Sequence, residues 1–318
     1  MRKKTWFVVA FCVLLLSSPA AAQDWPNKPI RFIVPYAAGG STDLLIRPIA
    51  VRLTAALGQQ IIIDNRSGAN GILGTALAAT SLPDGYTYVV VFDSHTTNPS
   101  LLKNISYDTV KDFTPIMQLA TSSYALVVNP STPYYTLRDL IAAAKSKPGE
   151  LTLGTSGRGS RGHLAMILLE QEAGFKITQV PYRGPAFAMI DVIAGRITMQ
   201  MGSFFLVAPY VKAQKVRAMV VTSVKRMAQW PDVPTVAEQG FPGYDAQSWW
   251  GILAPTGAPM PILQKMHAEL SRVLALPETR EGLERLGATV QVSTPEEFSR
   301  IIASDMQIWG KVIRDAGI

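Results

Sequence analysis

Residues 30–58 read IRFIV, then PYAAGG, then STDLLIRPIAVRLTAALG. An apolar run rich in β-branched residues, a glycine break and a long amphipathic run predict a strand, a loop and a helix over residues 44–57. The same pattern returns over residues 60–80, and residues 86–92 form a third apolar run. Repeated strand–loop–helix units of this kind predict an α/β fold with a parallel sheet.

The loop after the first strand combines glycines with helix-capping residues. Gly39 and Gly40 have no Cβ atom, so a bound anion can approach the backbone closely. Ser41, Thr42 and Asp43 follow, and side-chain oxygens of this kind accept hydrogen bonds from the unpaired N–H groups of a first helical turn. The remaining N–H groups and the helix dipole favour negative charge. We therefore expect an anion at this helix N-terminus, with Asp43 serving as a cap.

The first 22 residues resemble a secretory signal peptide. They begin with a basic RKK, continue as a short apolar core and end in three alanines at Ala22. We expect cleavage there, export to the periplasm and a mature chain of residues 23–318. Cys12, the single cysteine, lies in the removed segment. The mature chain is therefore expected to have no disulfide, cysteine nucleophile or thiolate metal site.

Charge and histidine spacing exclude several further classes of function. The formal net charge is +7, but lysines and arginines are scattered singly after the basic start, which argues against a nucleic-acid partner. The three histidines, His95, His163 and His267, share no pairwise metal-ligand spacing. We therefore expect no metal and no cofactor.

A second α/β series begins near residue 123. Residues 114–130 are mostly apolar and too long for one strand, so we predict two strands joined by a crossing between domains. The proline-rich residues 230–244 are expected to return the chain to the first domain. The predicted first domain comprises residues 23–122 and 226–318, and the predicted second domain comprises residues 123–225.

The second series contains a glycine-rich loop with two possible interpretations. Residues 157–162, GRGSRG, match G-x-G-x-x-G, but the next strand ends in VPYR without the acid that a dinucleotide fold requires. We therefore predict a phosphate or carboxylate site there. Residues 154–158, GTSGR, depart from the hydrolase elbow G-x-S-x-G only at Arg158. An exported serine hydrolase that uses Ser156 is therefore an alternative function.

Several motifs follow one another along the whole chain after residue 22. They are PYAAGGSTD at 35–43, NRSGANG at 65–71, PDGYT at 83–87, SGRGS at 156–160 with His163 and Leu164, VPYRG at 180–184, PDVPT at 231–235, SWWG at 248–251, and a closing Trp309 with AGI at 316–318. Together they resemble the Bug receptors, the extracytoplasmic solute-binding proteins of tripartite tricarboxylate transporters.

The resemblance implies a two-domain periplasmic binding protein, type II-like, with a ligand cleft between the domains. It implies a monomer without catalytic activity that closes on a small organic carboxylate and delivers it to a membrane permease. A sensory receptor without transport is a second alternative. The ligand-binding residues that the resemblance implies are Tyr36, Gly39, Gly40, Ser41, Thr42, Ser94 and His95 in the first domain, and Ser156, Gly157, Gly159, Ser160, Tyr182 and Arg183 in the second.

Two departures from the family pattern bear on the ligand. Phe204 and Phe205 stand where relatives carry a small polar strand end, so we expect a narrower cleft or an apolar or aromatic acid. Arg158 and Arg161 add positive charge to the second loop, which allows a second carboxylate on the ligand. These two expectations point to different ligands.

Overall fold

The structure, a computed structural model, describes residues 25–155, 157–182 and 184–318. The predicted signal peptide and the predicted binding residues Ser156 and Arg183 lie outside the described residues. Within those ranges, no helix combines the length and the apolar character that crossing a bilayer requires.

Six strands form the first sheet. Their bounds are β1 (Ile30–Val34), β2 (Ile61–Asn65), β3 (Thr87–Phe92), β4 (Phe113–Ser122), β10 (Ser248–Pro255) and β11 (Thr289–Val290). Their order across the sheet is β11-β4-β10-β3-β1-β2. Strand β1 runs parallel to β2 and β3, whereas β10 is antiparallel to both β3 and β4.

Five strands form the second sheet. Their bounds are β5 (Tyr124–Val128), β6 (Thr152–Thr155), β7 (Thr178–Pro181), β8 (Met199–Ser203) and β9 (Arg217–Val221). Their order across the sheet is β7-β6-β8-β5-β9. Strand β6 is parallel to β7 and β8, and β5 is antiparallel to β8 and β9. The two sheets therefore repeat one plan, a parallel trio extended by antiparallel strands.

Helices pack around both sheets. The described helices are α1 (Ser41–Leu57), α2 (Ile72–Ala79), α3 (Ser94–Leu101), α4 (Leu137–Ser146), α5 (Arg161–Ala173), α6 (Pro185–Ile193), α7 (Phe204–Lys212), α8 (Met260–Ala275), α9 (Pro277–Arg285) and α10 (Pro295–Ala316). The predicted α/β fold class is confirmed.

Helix α3 is one element that the sequence pattern does not predict. Its residues SHTTN are polar and lack apolar periodicity, so the sequence suggests only the polar end of a strand. The structure buries these residues, and other parts of the chain form hydrogen bonds with the side chains of Ser94, His95, Thr96 and Asn98. The Asn98 amide, for example, donates to the carbonyl oxygen of Asn70 over 3.1 Å.

Helix α10 belongs to both halves of the molecule. Phe298 and Ile302 near its start pack into the core of the first sheet. Trp309 and Val312 near its end pack into the core of the second sheet. The predicted assignment of residues 226–318 to the first domain alone therefore does not describe this helix.

Two chain segments cross between the sheets side by side. Strand β4 ends at Ser122 in the first sheet, and β5 begins at Tyr124 in the second. Between them, the Ser123 hydroxyl oxygen accepts hydrogen bonds from the backbone N–H groups of Thr222 and Ser223, over 2.9 and 3.1 Å. The outgoing and returning segments are thus tied together at one point.

Candidate ligand-binding site

Each sheet has one point where the order of its parallel strands reverses. In the first sheet β1 lies between β2 and β3, and in the second β6 lies between β7 and β8. Ligands of open α/β sheets bind beyond the carboxyl ends of the strands at such a reversal. The loops that follow β1 and β3, and those that follow β6 and β8, are therefore the candidate site. They contain most of the predicted binding residues.

The structure brings Tyr36 and Ser94 together across the reversal in the first sheet. Their hydroxyl oxygens are 2.7 Å apart. The Ser94 hydroxyl also donates to the carbonyl oxygen of Asn70 over 3.2 Å. Burial raises the pKa of Tyr36 far above its usual value, so its hydroxyl stays protonated. The three loops after β1, β2 and β3 are thus joined by neutral hydrogen bonds.

Asn70 is a residue of this network that the sequence analysis does not assign. It adopts a left-handed backbone conformation with φ +55°, which asparagine tolerates better than most residues. Its side-chain amide donates to the Asn98 side-chain oxygen over 2.9 Å. The NRSGANG motif pointed to this loop, but its link to α3 depends on a helix that the sequence does not reveal.

Asp43 holds the first loop in place. Its carboxylate accepts hydrogen bonds from the Gly39 N–H over 2.9 Å, from the Arg47 guanidinium over 2.8 Å and from the Asn65 amide over 3.0 Å. Burial opposes ionisation, but these donors lower the pKa of Asp43 below its usual value. The Gly40 N–H is also occupied, by the Ala37 carbonyl oxygen. Two amides that we expected to face a ligand therefore stabilise the loop.

The start of helix α1 nevertheless remains open. Its N-cap residue is Gly40, and no side chain caps the first turn. A Cβ atom built on Gly39, where φ is +79°, would meet nothing within 4 Å, so the backbone there borders free space. Ser41 is half-buried at the first helical position. The first-turn N–H groups beyond the cap are thus placed to meet an anion.

Aromatic rings from both halves pack together around Trp250. The Trp250 indole N–H donates to the Thr42 hydroxyl over 3.1 Å, which turns that predicted binding residue toward β10. The Trp250 ring lies 5.0 Å from Phe92 and 5.1 Å from Phe205, measured between centroids. Because Phe205 belongs to α7, a ring from the second half packs on the first sheet.

The second strand end offers a less occupied surface. A Cβ atom built on Gly157, where φ is +122°, would meet nothing within 4 Å. Ser160 is the N-cap of α5, yet its side chain makes no capping hydrogen bond. Its hydroxyl oxygen is buried without a partner among the described residues. A hydroxyl without a partner among the described residues thus lies at the N-cap position of α5.

Gly159 connects the two halves rather than lining free space. Its N–H donates to the His163 Nδ1 atom over 2.9 Å. A Cβ atom at Gly159 would lie 2.4 Å from the Leu101 side chain at the end of α3. Glycine is required here because the second loop touches the first half of the molecule at this point.

Tyr182 lies at the edge of the second loop, and its hydroxyl is already bonded. It donates to the Asp191 carboxylate on α6 over 2.7 Å.

The His95 ring packs against residues that are not among the predicted binding residues. Its ring is buried beside Tyr107 and Phe113, and its Nε2 atom lies 3.2 Å from the Thr109 carbonyl oxygen. Burial lowers the pKa of His95 to about 4, which keeps the ring neutral.

The expected positive charge of the second loop is wrong for Arg161. Its side chain is fully buried, and its guanidinium lies 2.6 Å from the Asp305 carboxylate and 3.4 Å from that of Asp93. Arg158 is exposed and donates to the Gly317 carbonyl oxygen over 3.2 Å. Neither arginine therefore supports the expectation of a second ligand carboxylate.

Phe204 also differs from its expected place. It is buried, with its ring 4.4 Å from that of Trp230. A Cβ atom on Gly287, where φ is +87°, would overlap the Phe204 ring at 1.7 Å. Phe204 thus contacts Gly287 of the first half, and Phe205 is the member of the pair that packs against Trp250.

The structure also contains cavities that lie away from these loops. Two of them, each about 640 Å³, share Gln118 and Gln291 in their linings. Neither lining contains a predicted binding residue. The strand-end geometry, rather than cavity volume, therefore defines the candidate site.

Comparison with known proteins agrees with this architecture. The family described as "Tripartite tricarboxylate transporter family receptor" matches residues 45–318. Protein BugT of Bordetella pertussis is 32% identical over 304 residues, which cover 95% of this chain and 93% of BugT.

Two solved structures with ligands are similar over nearly the whole chain. R. palustris Rpa4515 with adipate has a TM-score of 0.86 and 34% identity, covering 93% of this chain and 99% of that one. MatC (Rpa3494) from Rhodopseudomonas palustris with bound malate has a TM-score of 0.80 and 30% identity, covering 91% of this chain and 100% of that one. The predicted resemblance is confirmed, and the chain belongs to the receptor family of tripartite tricarboxylate transporters.

Proposed function

We propose that this chain is an extracytoplasmic receptor that binds a small organic acid between its two halves and delivers it to a transporter permease. One observation carries the proposal. Helices α1 and α5 both begin without a side-chain cap at strand ends where the sheet order reverses, beside the open glycines Gly39 and Gly157. Paired helix N-termini of this kind suit the carboxylate groups of one ligand.

The proposed contacts are mostly uncharged. Ser41 and the first-turn N–H groups of α1 would hold one end of the ligand, and Gly157 and the Ser160 hydroxyl would hold the other. Ser156 and Arg183 stay in the proposed site by resemblance. The adipate and malate in the two related structures support a small dicarboxylate as the first ligand to test.

Closure of the two halves would accompany binding. The domain boundaries proposed at 122/123 and 225/226 fall beside the crossing at Ser123, where two bonded chain segments pass between the sheets. A ligand shifts such an equilibrium only by its difference in affinity for the open and closed forms. The closed form would then present the surface that a permease recognises.

A thermal-shift screen of residues 23–318 tests the proposal directly. The ligands are mono-, di- and tricarboxylates, including adipate and malate, with aromatic acids and amino acids for comparison. A bound ligand raises the free energy of unfolding by about 2.7 kcal/mol at a hundredfold excess over Kd. No shift with any acid, in protein shown by native mass spectrometry to carry no retained ligand, would contradict a carboxylate receptor.

Two substitutions localise the site. Ser41→Leu and Ser160→Leu should each remove binding of the best acid from the screen, because the leucine fills the space beside an uncapped helix start. Ser146→Leu, on an exposed serine at the end of α4, is the matched control. Isothermal titration reports binding, and thermal unfolding without ligand reports folding. Unchanged affinity in both site variants would place the ligand elsewhere.

The proposed role involves no catalytic step. The His163 Nδ1 atom, the nearest base in sequence, already accepts a hydrogen bond from Gly159. The alternative hydrolase would turn over ester substrates and lose that activity in Ser156→Ala. Such turnover would overturn the binding-only proposal.

A further inference from the structure

The carboxylate of Asp305 on α10 lies where the two halves of the molecule meet. Its Oδ1 atom accepts hydrogen bonds from the Arg161 guanidinium over 3.2 Å and from the Trp309 indole over 2.9 Å. Its Oδ2 atom accepts from Arg161 over 2.6 Å, from the Trp249 indole over 3.1 Å and from the Thr96 hydroxyl. One side chain therefore joins helices α3, α5 and α10 and strand β10.

The cation at the centre of this cluster is Arg161. Its guanidinium stacks on the Trp309 ring at 4.3 Å from the centroid. Its Nε atom lies 3.4 Å from the Asp93 carboxylate, and its side chain has no solvent exposure. Burial opposes the charge, but Asp305 and Asp93 raise the pKa of Arg161 and keep it ionised.

One side of this cluster lies beside the proposed contact Ser160, and the other lies beside Ser94, whose hydroxyl oxygen is 2.7 Å from that of Tyr36 in the loop before α1. Asp93 precedes Ser94 at the end of β3, and Arg161 follows Ser160 after β6. The two strand ends belong to different sheets. Asp305 reaches both, because it binds Arg161 at the start of α5 and Thr96 in the first turn of α3.

The hydrogen bonds between Arg161 and Asp305 fix an orientation, which apolar packing does not. A buried ion pair is often no more stabilising than apolar residues of the same volume. It does impose orientation, because a planar guanidinium that donates two parallel hydrogen bonds accepts only a narrow range of carboxylate positions. The apolar residues of α10, which pack into both cores, would hold the helix without fixing that orientation.

We propose that Asp305 is a positioning residue of the binding site, whose carboxylate sets the distance and orientation between the α3 and α5 helix starts. The inference extends the proposed function, because those helix starts carry Ser94 and Ser160. In this role Asp305 does not itself contact the ligand. It acts through Thr96 on one side and through Arg161 on the other.

Hydrogen exchange of residues 23–318 tests this role without a ligand. Asp305→Asn keeps the shape of the side chain but removes its charge. The matched control is Asp315→Asn, on the same helix, where the carboxylate forms an exposed ion pair with Lys311. In Asp305→Asn the amides of residues 94–101 and 159–165 should both exchange on the order of tenfold faster, while those of β1 and β6 keep their protection. The control should match wild type.

Trp249→Phe provides a second, milder variant. It removes one hydrogen bond to Asp305 and leaves the charge in place, so it should accelerate the same two segments by a smaller factor. If Asp305→Asn loses protection everywhere, this variant decides the question. Unchanged exchange in either segment, or a loss confined to α10, would overturn the proposal.

Titration with adipate separates this proposal from the proposed function. Affinity should fall on the order of tenfold in Asp305→Asn and stay unchanged in Asp315→Asn. A misplaced α5 start weakens binding at Ser160, and a misplaced α3 start disturbs the loop before α1 through the Ser94–Tyr36 hydrogen bond. If wild type binds neither adipate nor any other acid in the screen, the proposed function fails while the exchange result still decides the role of Asp305. If adipate binds equally to wild type and Asp305→Asn, the positioning role is wrong and the receptor function stands.

Discussion

Two helices that start away from the candidate site, α4 and α10, begin differently from the two helices that start at it. Helices α4 and α10 have complete capping boxes, formed by Thr136 with Asp139 and by Thr294 with Glu297. Helices α1 and α5, at the reversal points of the two sheets, have no side-chain cap. Ser160 occupies the N-cap position of α5 with a hydroxyl that makes no such bond.

The first-turn N–H groups of α1 and α5 are therefore not satisfied by a side-chain cap. A good N-cap stabilises a helix by about 1 kcal/mol, so an uncapped helix start gives up stability that another residue choice would provide. Six other described helices, α2, α3, α6, α7, α8 and α9, also lack side-chain caps. In α6, α8 and α9 a proline in the first turn removes one N–H from the set to be satisfied. Among the helices that the structure describes, α1 and α5 are the uncapped ones whose preceding loop contains a glycine where an added Cβ atom would meet nothing within 4 Å. This supports a ligand as the missing cap.

An artificial cap on α1 should have the largest effect on ligand binding. Gly40→Asp should lower carboxylate affinity on the order of a hundredfold, because the new carboxylate takes the first-turn N–H groups and repels the ligand. Gly40 has φ −74°, which any residue adopts, and a new Cβ atom would lie 3.1 Å from the Ala37 carbonyl oxygen. Isothermal titration with the best acid from the screen measures the loss.

Gly40→Ala is the control for that substitution, because it adds the same Cβ atom without the charge. It should bind the acid more tightly than Gly40→Asp does. Thermal unfolding should show the aspartate variant at least as stable as the alanine variant. Equal affinity in the two variants would mean that α1 does not contact the ligand.

A smaller effect concerns Asp93, the N-cap residue of α3, whose carboxylate also makes no capping bond. Burial raises the pKa of Asp93 to about 7; Arg161 opposes this shift and Asp305 adds to it, and Tyr124 and Tyr36 also face the group. The folded protein therefore keeps a proton that the unfolded chain releases near pH 4. The stability that this proton provides is complete below about pH 4 and is lost as the pH rises through about 7, with a slope of at most about 1.4 kcal/mol per unit.

Asp93→Asn should remove that contribution. Denaturant unfolding at several pH values from 4 to 8 measures the difference in unfolding free energy between wild type and variant. The difference should change in favour of the variant as the pH rises. Asp315→Asn, the exposed control, should show no such trend, and a constant difference in Asp93→Asn would mean that Asp93 is ionised throughout this range.

The smallest expected effect comes from removing an existing cap, that of α10. Thr294→Ala removes the hydroxyl that accepts the Glu297 N–H over 3.1 Å at the start of α10. It should lower the free energy of unfolding by about 1 kcal/mol and leave ligand affinity unchanged. Thermal unfolding and titration of the same preparation measure both quantities. Weaker ligand binding in this variant would show that cap and ligand site are coupled.

Much of the first strand-end loop could be predicted from sequence. The glycines, the strand before them and the helix after them depend on neighbouring residues, so their pattern is visible in one short stretch. The helix begins at Ser41, three residues before the predicted start, and no side chain caps it. The outcome for single side chains was less predictable. Thr42 and His95 were assigned to the ligand by resemblance, but the first bonds Trp250 and the second is buried beside Tyr107.

Arg161 shows why the rest was out of reach. Its sequence context, a glycine-rich loop before a helix, suggested a charge available to a ligand. Its partners Asp93 and Asp305 lie 68 and 144 residues away in the chain, on different elements. No local sequence pattern predicts a contact between residues so far apart in the chain. The sequence of α3 has no apolar periodicity, so it does not predict the helix that takes part in this contact.

The sequence by itself determined the α/β units, the glycine loops, the absence of cysteine after residue 22 and the family. These features follow from local backbone preference, from composition and from motifs that can be read in order. Only the tertiary structure decided which helix starts stay uncapped, which charges are paired and which strand ends face each other. Those outcomes depend on burial and on partners distant in sequence, because the energy of a polar group is set by what surrounds it after folding.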